Sequence, residues 1–297
     1  MATRIATALC AWVLWLAGTA HAQGDEGALH IESRDLAGGG KQFIAHNRSL
    51  APLSLKFEIL GSGVRSTPRS PIVAVLPPHS RSELATVRGE RPGTSYRFSY
   101  RSSYREGTLD AQHDARYRLP FPQGFAFYIS QASDGPLRTH TTPDSHHAVD
   151  FAIPESALIV AARGGTVIEV VDHHTIGTLD RFYLTRANRV RIVHADGTIA
   201  SYAHLAPNSR LVEVGDVVAA GDLLARSGHT GYSSAPHLHF SVNHDRLDRS
   251  GKLVSESLPI TFYTGVPAST FAPTTGLLAQ ADYGEASTLA RAEPAAP

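Results

Sequence analysis

The sequence is poor in sulfur, tryptophan and lysine. It contains one cysteine, one methionine and two tryptophans in 297 residues, and all four lie within the first 15 positions. A single cysteine excludes an internal disulfide and a cysteine-built zinc site. Lysine occurs only at positions 41, 56 and 252. The 27 basic residues equal the 27 acidic ones in number, and no basic stripe stands out. Nothing therefore favours binding to nucleic acid or to an anionic membrane surface.

A candidate export signal lies at the N-terminus. Arg4 precedes an apolar run over residues 5–17, and Ala20-His21-Ala22 has the small-residue pattern of a cleavage site. We predict a signal peptide over 1–22. The run is too short to span a bilayer comfortably, so we expect no transmembrane span in the mature chain. The protein is expected to be exported, to the periplasm or outside the cell, and to be a monomer.

The rest of the chain predicts a mainly β protein with two domains. Residues 23–120 contain short β-type segments between turn signals, as in a β-sandwich. Pro120-Phe121-Pro122 marks the expected domain boundary. Residues 121–264 continue as strands without a sustained helical period. Residues 265–297, rich in Ala, Thr, Pro and Gly, are expected to form a flexible tail.

Histidine is plentiful, with 16 residues, and two of these share one strand. In residues 237–242 apolar and polar side chains alternate, which places His237 and His239 on the face opposite Leu238 and Phe240. Neutral imidazole is the commonest zinc ligand and also a good proton shuttle near pH 7. One of these histidines could therefore bind a metal while the other handles protons. A merely polar strand face is the alternative that this pair leaves open.

Two further segments carry candidate site residues. Residues 140–151 contain three histidines and end in Asp150, which sits between two apolar neighbours on a predicted strand. A carboxylate there is costly unless it is paired or bound to a metal, which favours a functional role for Asp150. The second segment contains Tyr202 and His204, predicted on one strand face.

Taken together, the chain over roughly 125–245 resembles the lysostaphin-type (LytM-type) zinc metallopeptidases, which cut cell-wall peptides. The matching pieces occur in the family's order and spacing: His146-His147-Ala148-Val149-Asp150-Phe151, Tyr202-Ala203-His204-Leu205, Gly228-His229-Thr230-Gly231, Pro236-His237-Leu238-His239-Phe240, and the paired-glycine turns within 214–222. The resemblance implies an antiparallel β groove with one zinc ion. It also implies that Asp150 and His239 bind the ion, while His204 and His237 polarise water and stabilise the reaction intermediate.

The first zinc ligand has two candidates. The family's usual His-x-x-x-Asp spacing indicates His146, but four residues of extended strand span about 13 Å, so both side chains reach one ion only if the strand bends. Some relatives carry a Ser-His at the start of a loop, which Thr139-His140 resembles. We favour His140 and keep His146 as the alternative. Tyr202 and His229 are candidates for the substrate groove.

Three functions compete at this point. The resemblance favours a zinc endopeptidase that cleaves the peptide stems of peptidoglycan. A non-catalytic relative that binds the cell wall or activates an amidase is the alternative, although no ligand position is missing. The paired Gly-Asp turns also resemble a lipoyl or biotinyl carrier domain, but that domain needs a lysine at a hairpin tip, and residues 57–251 contain no lysine.

Overall fold

The computed structural model describes residues 27–91, 96–111, 114–135, 139–265 and 267–284. The predicted signal peptide lies outside this range, as do His113 and the last 13 residues. The described residues are almost entirely strand and loop, with one short 3-10 turn at Arg181–Tyr183. The predicted mainly β class is therefore confirmed. None of the described helical structure is long and apolar enough to cross a membrane.

The N-terminal part is a pair of antiparallel sheets. Within its described residues one sheet has the order β1-β2-β6-β4 and the other β5-β3-β7. The strands are β1 (Leu29–Asp35), β2 (Lys41–Asn47), β3 (Leu53–Ser62), β4 (Val64–Thr67), β5 (Ile72–Leu76), β6 (Arg81–Gly89) and β7 (Arg97–Glu106). Alternate side chains such as Phe43, Leu55 and Phe57 are fully buried between the sheets. This packing is that of a β-sandwich, because each sheet buries one face against the other.

The second part is built around one large antiparallel sheet. Nine described strands form it, in the order β16-β12-β14-β15-β19-β10-β9-β23, with β20 beside β19. The remaining strands make small sheets at its margins: β8 with β21 and β22, β11 with β17, and β13 with β18. The bounds are β8 (Arg116–Tyr117), β9 (Ala126–Gln131), β10 (Val149–Phe151), β11 (Leu158–Val160), β12 (Gly165–Val171), β13 (Gly177–Thr178), β14 (Arg189–Val193), β15 (Ile199–Ala203), β16 (Val217–Val218), β17 (Leu223–Arg226), β18 (Gly231–Tyr232), β19 (Leu238–Leu247), β20 (Leu253–Ser257), β21 (Thr261–Thr264), β22 (Ser269–Phe271) and β23 (Leu278–Gln280).

The two faces of this sheet have opposite character. On β19, Leu238, Phe240 and Val242 are fully buried in the main apolar core. The intervening residues, His239 and Ser241, line a cleft on the other face. The alternation predicted from the sequence therefore holds, and the sheet presents a polar floor over an apolar core.

The division between the two cores comes earlier than the sequence suggested. Tyr117, Leu119 and Phe121 are fully buried in the core of the second part, and β8 pairs with β21 of that part. The boundary expected at 120 is thus too late. The Pro residues that suggested it flank a buried phenylalanine, and they do not form an exposed linker.

The flexible tail expected from residue 265 is also partly wrong. β23 pairs with β9 in register, with Ala279 opposite Phe127, and Ala279 and Ala281 are buried in the main core. Small side chains in this segment gain burial only through their partner strand, so their low local hydrophobicity misled the prediction.

Candidate active site

Three of the predicted residues form one compact group on the polar face of the large sheet. One ligand atom from each of His140, Asp150 and His239 lies within 4.8 Å of the others. Asp150 stands between the two imidazoles: His140 Nε2 is 3.2 Å from its Oδ2, and His239 Nδ1 is 3.0 Å from its Oδ1. Two imidazoles and one carboxylate in this arrangement match the donor set of a catalytic zinc site.

Strand pairing places this group. β10 runs antiparallel to β19 with Asp150 directly opposite His239. On its other side β10 pairs with β9, and the register shifts between Asp150 and Phe151. Such a bulge re-aims a side chain locally. Val149 and Phe151 remain fully buried, so the carboxylate emerges on the cleft face.

A buried glutamine supports the carboxylate. Gln131 donates from Nε2 to Asp150 Oδ2 at 3.1 Å, and its Oε1 accepts the Thr139 backbone N–H at 2.8 Å. The same amide thus fixes the loop that carries His140. Burial alone would raise the pKa of Asp150, but hydrogen bonds from His140 and His239 outweigh it and hold this pKa well below the usual range.

His146, the alternative ligand, is elsewhere. Its ring packs edge-on against His147, with centroids 4.7 Å apart, and both rings line a separate cavity of about 250 Å³ beside Arg246 and Glu256. The structure therefore does not bring His146 to Asp150. His140 instead comes from a loop, is buried, and packs edge-on against His239 at 4.8 Å. No described group accepts a hydrogen bond from its buried Nδ1.

His204 follows directly after β15 in an unusual backbone conformation. Its φ is 63°, in the left-handed region that non-glycine residues rarely occupy. Its Nδ1 donates to the Thr230 carbonyl at 2.7 Å, which leaves Nε2 as the lone-pair nitrogen of the neutral ring. Burial first, and the neighbouring His237 second, lower the pKa of His204 to about 3.

His237 lies beside His204, with ring centroids 4.4 Å apart. Its Nδ1 donates to the Ala235 carbonyl at 2.8 Å, so its Nε2 also carries a lone pair when the ring is neutral. That Nε2 is 4.0 Å from Asp150 Oδ2. Both predicted water-polarising histidines therefore stand next to the candidate metal ligands, each oriented by a backbone carbonyl.

The two groove candidates occupy other positions. Tyr202 is fully buried and packs on Phe240 at 5.1 Å, and its hydroxyl accepts the Ala162 backbone N–H. It does not share a face with His204, because the backbone turns into the left-handed region between the strand and that histidine. His229 bonds through Nε2 to the Ser233 carbonyl at 3.1 Å and shapes its own loop. Neither residue lines the described cleft.

A buried polar pair that sequence reasoning missed holds the loop behind His204. Thr230 Oγ1 accepts the Asn188 backbone N–H at 3.0 Å and donates to the Leu205 carbonyl at 2.8 Å. The Asn188 side chain, fully buried, donates to the carbonyls of His174 and Leu205. These contacts join segments far apart in sequence, so no local spacing could have indicated them.

His239 of this group and the neighbouring His204 line a cleft of about 800 Å³. Its floor is the polar face of the large sheet, including His204, His239 and Ser241. Its far wall comes from the sandwich, where Tyr104, Arg105 and Glu106 end β7. The two parts of the chain thus enclose one cavity.

Comparisons with known proteins relate part of the chain to a peptidase family. Residues 144–250 match the family model described as Peptidase family M23. Lysostaphin from Staphylococcus simulans is 29% identical over 130 residues, which are 43% of this chain and 23% of that protein. The peptidoglycan DD-endopeptidase ShyA from Vibrio cholerae is 30% identical over 125 residues, 41% of this chain and 26% of that protein.

Solved structures match a comparable share of the chain. The catalytic domain of the antimicrobial peptidase lysostaphin from Staphylococcus simulans matches 40% of this chain and 79% of its own at 27% identity, with a TM-score of 0.28. The chain spans about a quarter of the length of the curated relatives it matches. Residues 144–250 thus match the model of peptidase family M23, and this chain is similar to lysostaphin-type peptidases over about two fifths of its length.

Proposed function

We propose that this protein is a zinc-dependent endopeptidase that hydrolyses the peptide cross-links of bacterial peptidoglycan. One observation carries the proposal: His140, Asp150 and His239 form a compact donor group beside two oriented histidines, and His239 and His204 line a cleft. The similarity to lysostaphin and to the peptidoglycan DD-endopeptidase ShyA supports the substrate class. Action on the cell wall requires export, which the predicted signal peptide over 1–22 would direct.

In this proposal His140, Asp150 and His239 hold one zinc ion. Their chemistry fits, since two neutral imidazoles and one carboxylate offset half of the ion's charge and leave a position for water and substrate. Zinc, when bound, supplies the Lewis acidity that makes water a competent nucleophile near neutral pH. Gln131 keeps the Asp150 carboxylate in place for this role.

His204 and His237 handle protons. Because each Nδ1 donates to a backbone carbonyl, each Nε2 is free to accept a proton from the attacking water or to donate one to the developing oxyanion or leaving amine. The rings stand side by side, so both can reach one substrate carbonyl.

The same residues argue against the non-catalytic alternative. A relative that only binds the wall or activates an amidase needs no complete ligand set and no oriented histidine pair. Here all five side chains lie together in the described structure.

The first experiment is digestion of purified peptidoglycan sacculi by the mature chain, with and without a chelator, followed by mass spectrometry of the fragments. We expect loss of cross-linked dimers that the chelator abolishes and added zinc restores. Intact sacculi together with a chain that binds no zinc would reject the proposal in favour of the binding or activator function.

The His237→Ala variant tests the division of roles. We expect zinc content to stay at one ion per chain while hydrolysis falls by about 100-fold or more, because a proton-transfer group contributes about 10²–10⁴ in rate. His173→Ala is the matched control, since His173 is exposed and away from the cleft. Full activity of His237→Ala would refute its assigned role.

A further inference from the structure

A chain of four alternating charges crosses the floor of the cleft. It begins on the sandwich, where Glu106 Oε2 accepts from Arg191 Nη1 at 3.0 Å. Arg191 Nη1 also donates to Glu169 Oε2 at 3.1 Å, and Arg189 Nη2 donates to Glu169 Oε1 at 2.5 Å. All four side chains line the cleft and are largely shielded from solvent, between 17% and 25% exposed.

The two arginines differ in how many carboxylates their guanidinium groups bond. Arg191 is held between two carboxylates. Arg189 ends the chain, and among the described residues it bonds one carboxylate oxygen and, weakly at 3.5 Å, the Ala187 carbonyl. A guanidinium has five donors in a fork that suits a carboxylate. Arg189 therefore has donors to spare, and it is already aligned by Glu169.

Strand register places Arg189 close to the candidate metal centre. Arg189 lies opposite Ala203 on β15, and Ala203 lies opposite His239 on β19. Two strand spacings separate Arg189 from His239, about 10 Å between Cα atoms. An extended peptide advances about 3.3 Å per residue. A substrate side chain one or two residues from the scissile bond could therefore cover the rest of the distance between the metal centre and Arg189.

We propose that Arg189 binds a carboxylate of the peptide substrate next to the scissile bond, and that Glu106 of the sandwich positions it through Arg191 and Glu169. The substrate class is thus a cross-link whose diamino acid keeps a free carboxylate. This inference rests on the proposed function. It makes the N-terminal part of the chain a contributor to substrate selection.

Binding to an inactive enzyme tests the inference without relying on turnover. The zinc-loaded His237→Ala chain is titrated with a cross-linked muropeptide dimer and with the same dimer whose carboxylate beside the scissile bond is a carboxamide. We expect the carboxylate form to bind about 10- to 100-fold more tightly, the usual loss for a hydrogen bond to a charged group. Arg189→Gln should abolish this preference, and Arg189→Lys should retain part of it.

Two further variants separate binding from positioning. Glu106→Gln should reduce the preference, and combining it with Arg189→Gln should add nothing, because Glu106 acts only through Arg189. Arg210→Gln is the control, since Arg210 pairs with Asp172 and Glu213 away from the cleft, and it should keep the full preference. Equal binding of the two dimers, equal weakening of both by Arg189→Gln, or tighter binding in Glu106→Gln would overturn the inference.

The outcomes also distinguish this inference from the proposed function. If wild type digests sacculi but hydrolyses both dimers alike, the endopeptidase stands and the carboxylate subsite falls. If the two dimers bind differently but wild type cleaves neither, the subsite stands and the endopeptidase falls.

Discussion

Which histidine is the first ligand of the proposed zinc ion is a question at the scale of single residues. We expect His140→Ala to lose bound zinc during dialysis and His146→Ala to retain it, because only His140 reaches Asp150. Zinc content measured by atomic absorption decides the matter, with circular dichroism as the check on folding. Retention by His140→Ala with loss from His146→Ala would show that the ligand is His146.

Thr230 is predicted to act through His204. Thr230→Ala removes a hydroxyl that bonds the Asn188 N–H and the Leu205 carbonyl in a buried setting, which should cost about 1–3 kcal/mol of unfolding free energy. Because the loop also carries the carbonyl that orients His204, we expect kcat to fall while KM and zinc content change little. Thr230→Ser should restore both stability and kcat. A kcat unchanged in Thr230→Ala would limit the residue to a structural role.

At this scale the sequence indicated the residues with a chemical signature and missed those without one. Asp150 was predicted as a site residue because a carboxylate between two buried neighbours is costly unless it is paired or bound to a metal. Gln131 and Thr230 have no such signature, because their roles depend on distant partners. Gln131 bonds Asp150, 19 positions away, and Thr230 bonds Leu205, 25 positions away. Tyr202 was misplaced because strand alternation stops at the left-handed turn of His204.

At the scale of elements, the turn of the β14–β15 hairpin contains Asp196, whose ionisation is predicted to affect stability. Asp196 accepts from the Thr198 N–H and hydroxyl and from Arg163 Nη1 at 2.7 Å. Burial alone would raise its pKa, but the bonds from Thr198 and Arg163 lower it below the usual value. A depressed pKa means that the ionised carboxylate stabilises the folded state at neutral pH, and that this contribution is lost as pH falls through the folded-state value.

Asp196→Asn should therefore destabilise the chain at pH 7 by about 1–3 kcal/mol. The difference from wild type should shrink as pH falls through the lowered pKa of the wild-type Asp196 carboxylate. Urea unfolding of both proteins, stripped of metal so that zinc release does not contribute, measures it. A difference that stays constant with pH would show that the loss is not electrostatic.

For whole elements, prediction succeeded where the pattern was strong. The segment 237–242, most of which forms the start of β19, alternates between apolar and polar residues, and its apolar members are all fully buried. The β23 segment failed because its alanines bury surface only against β9, more than 140 positions earlier in the chain. The boundary at 120 failed for a similar reason, since Tyr117 joins the second core through β21.

At the scale of the whole molecule, the joint between the two parts contains a buried carboxylate, that of Asp245. Asp245 bridges them: its N–H donates to the Thr108 carbonyl, its carbonyl accepts from Asp110, and Arg105 lies 3.1 Å from its carboxylate. The side chain is only 2% exposed. Burial raises its pKa in spite of Arg105, so the joint is most stable at low pH and loses stability as pH rises through that raised value.

We expect Asp245→Asn to remove this pH dependence. The variant should be at least as stable as wild type near pH 7 and no more stable near pH 4, since the neutral amide mimics the protonated acid. Thermal unfolding of the metal-free proteins across this range is the measurement. A marked loss of stability in Asp245→Asn at pH 7 would show that the ion pair with Arg105 outweighs the cost of burial.

The pairing of Asp150 with His239 joins residues 89 positions apart, and it forms only when β10 has docked against β19. Contacts of such long sequence separation form slowly, because the chain must lose much of its freedom before they stabilise it. A nascent chain thus contains the ligand residues without the centre that they build. Under the proposed function, catalytic competence would arrive only with the completed fold, and the timing of folding would itself protect the cell from premature hydrolysis.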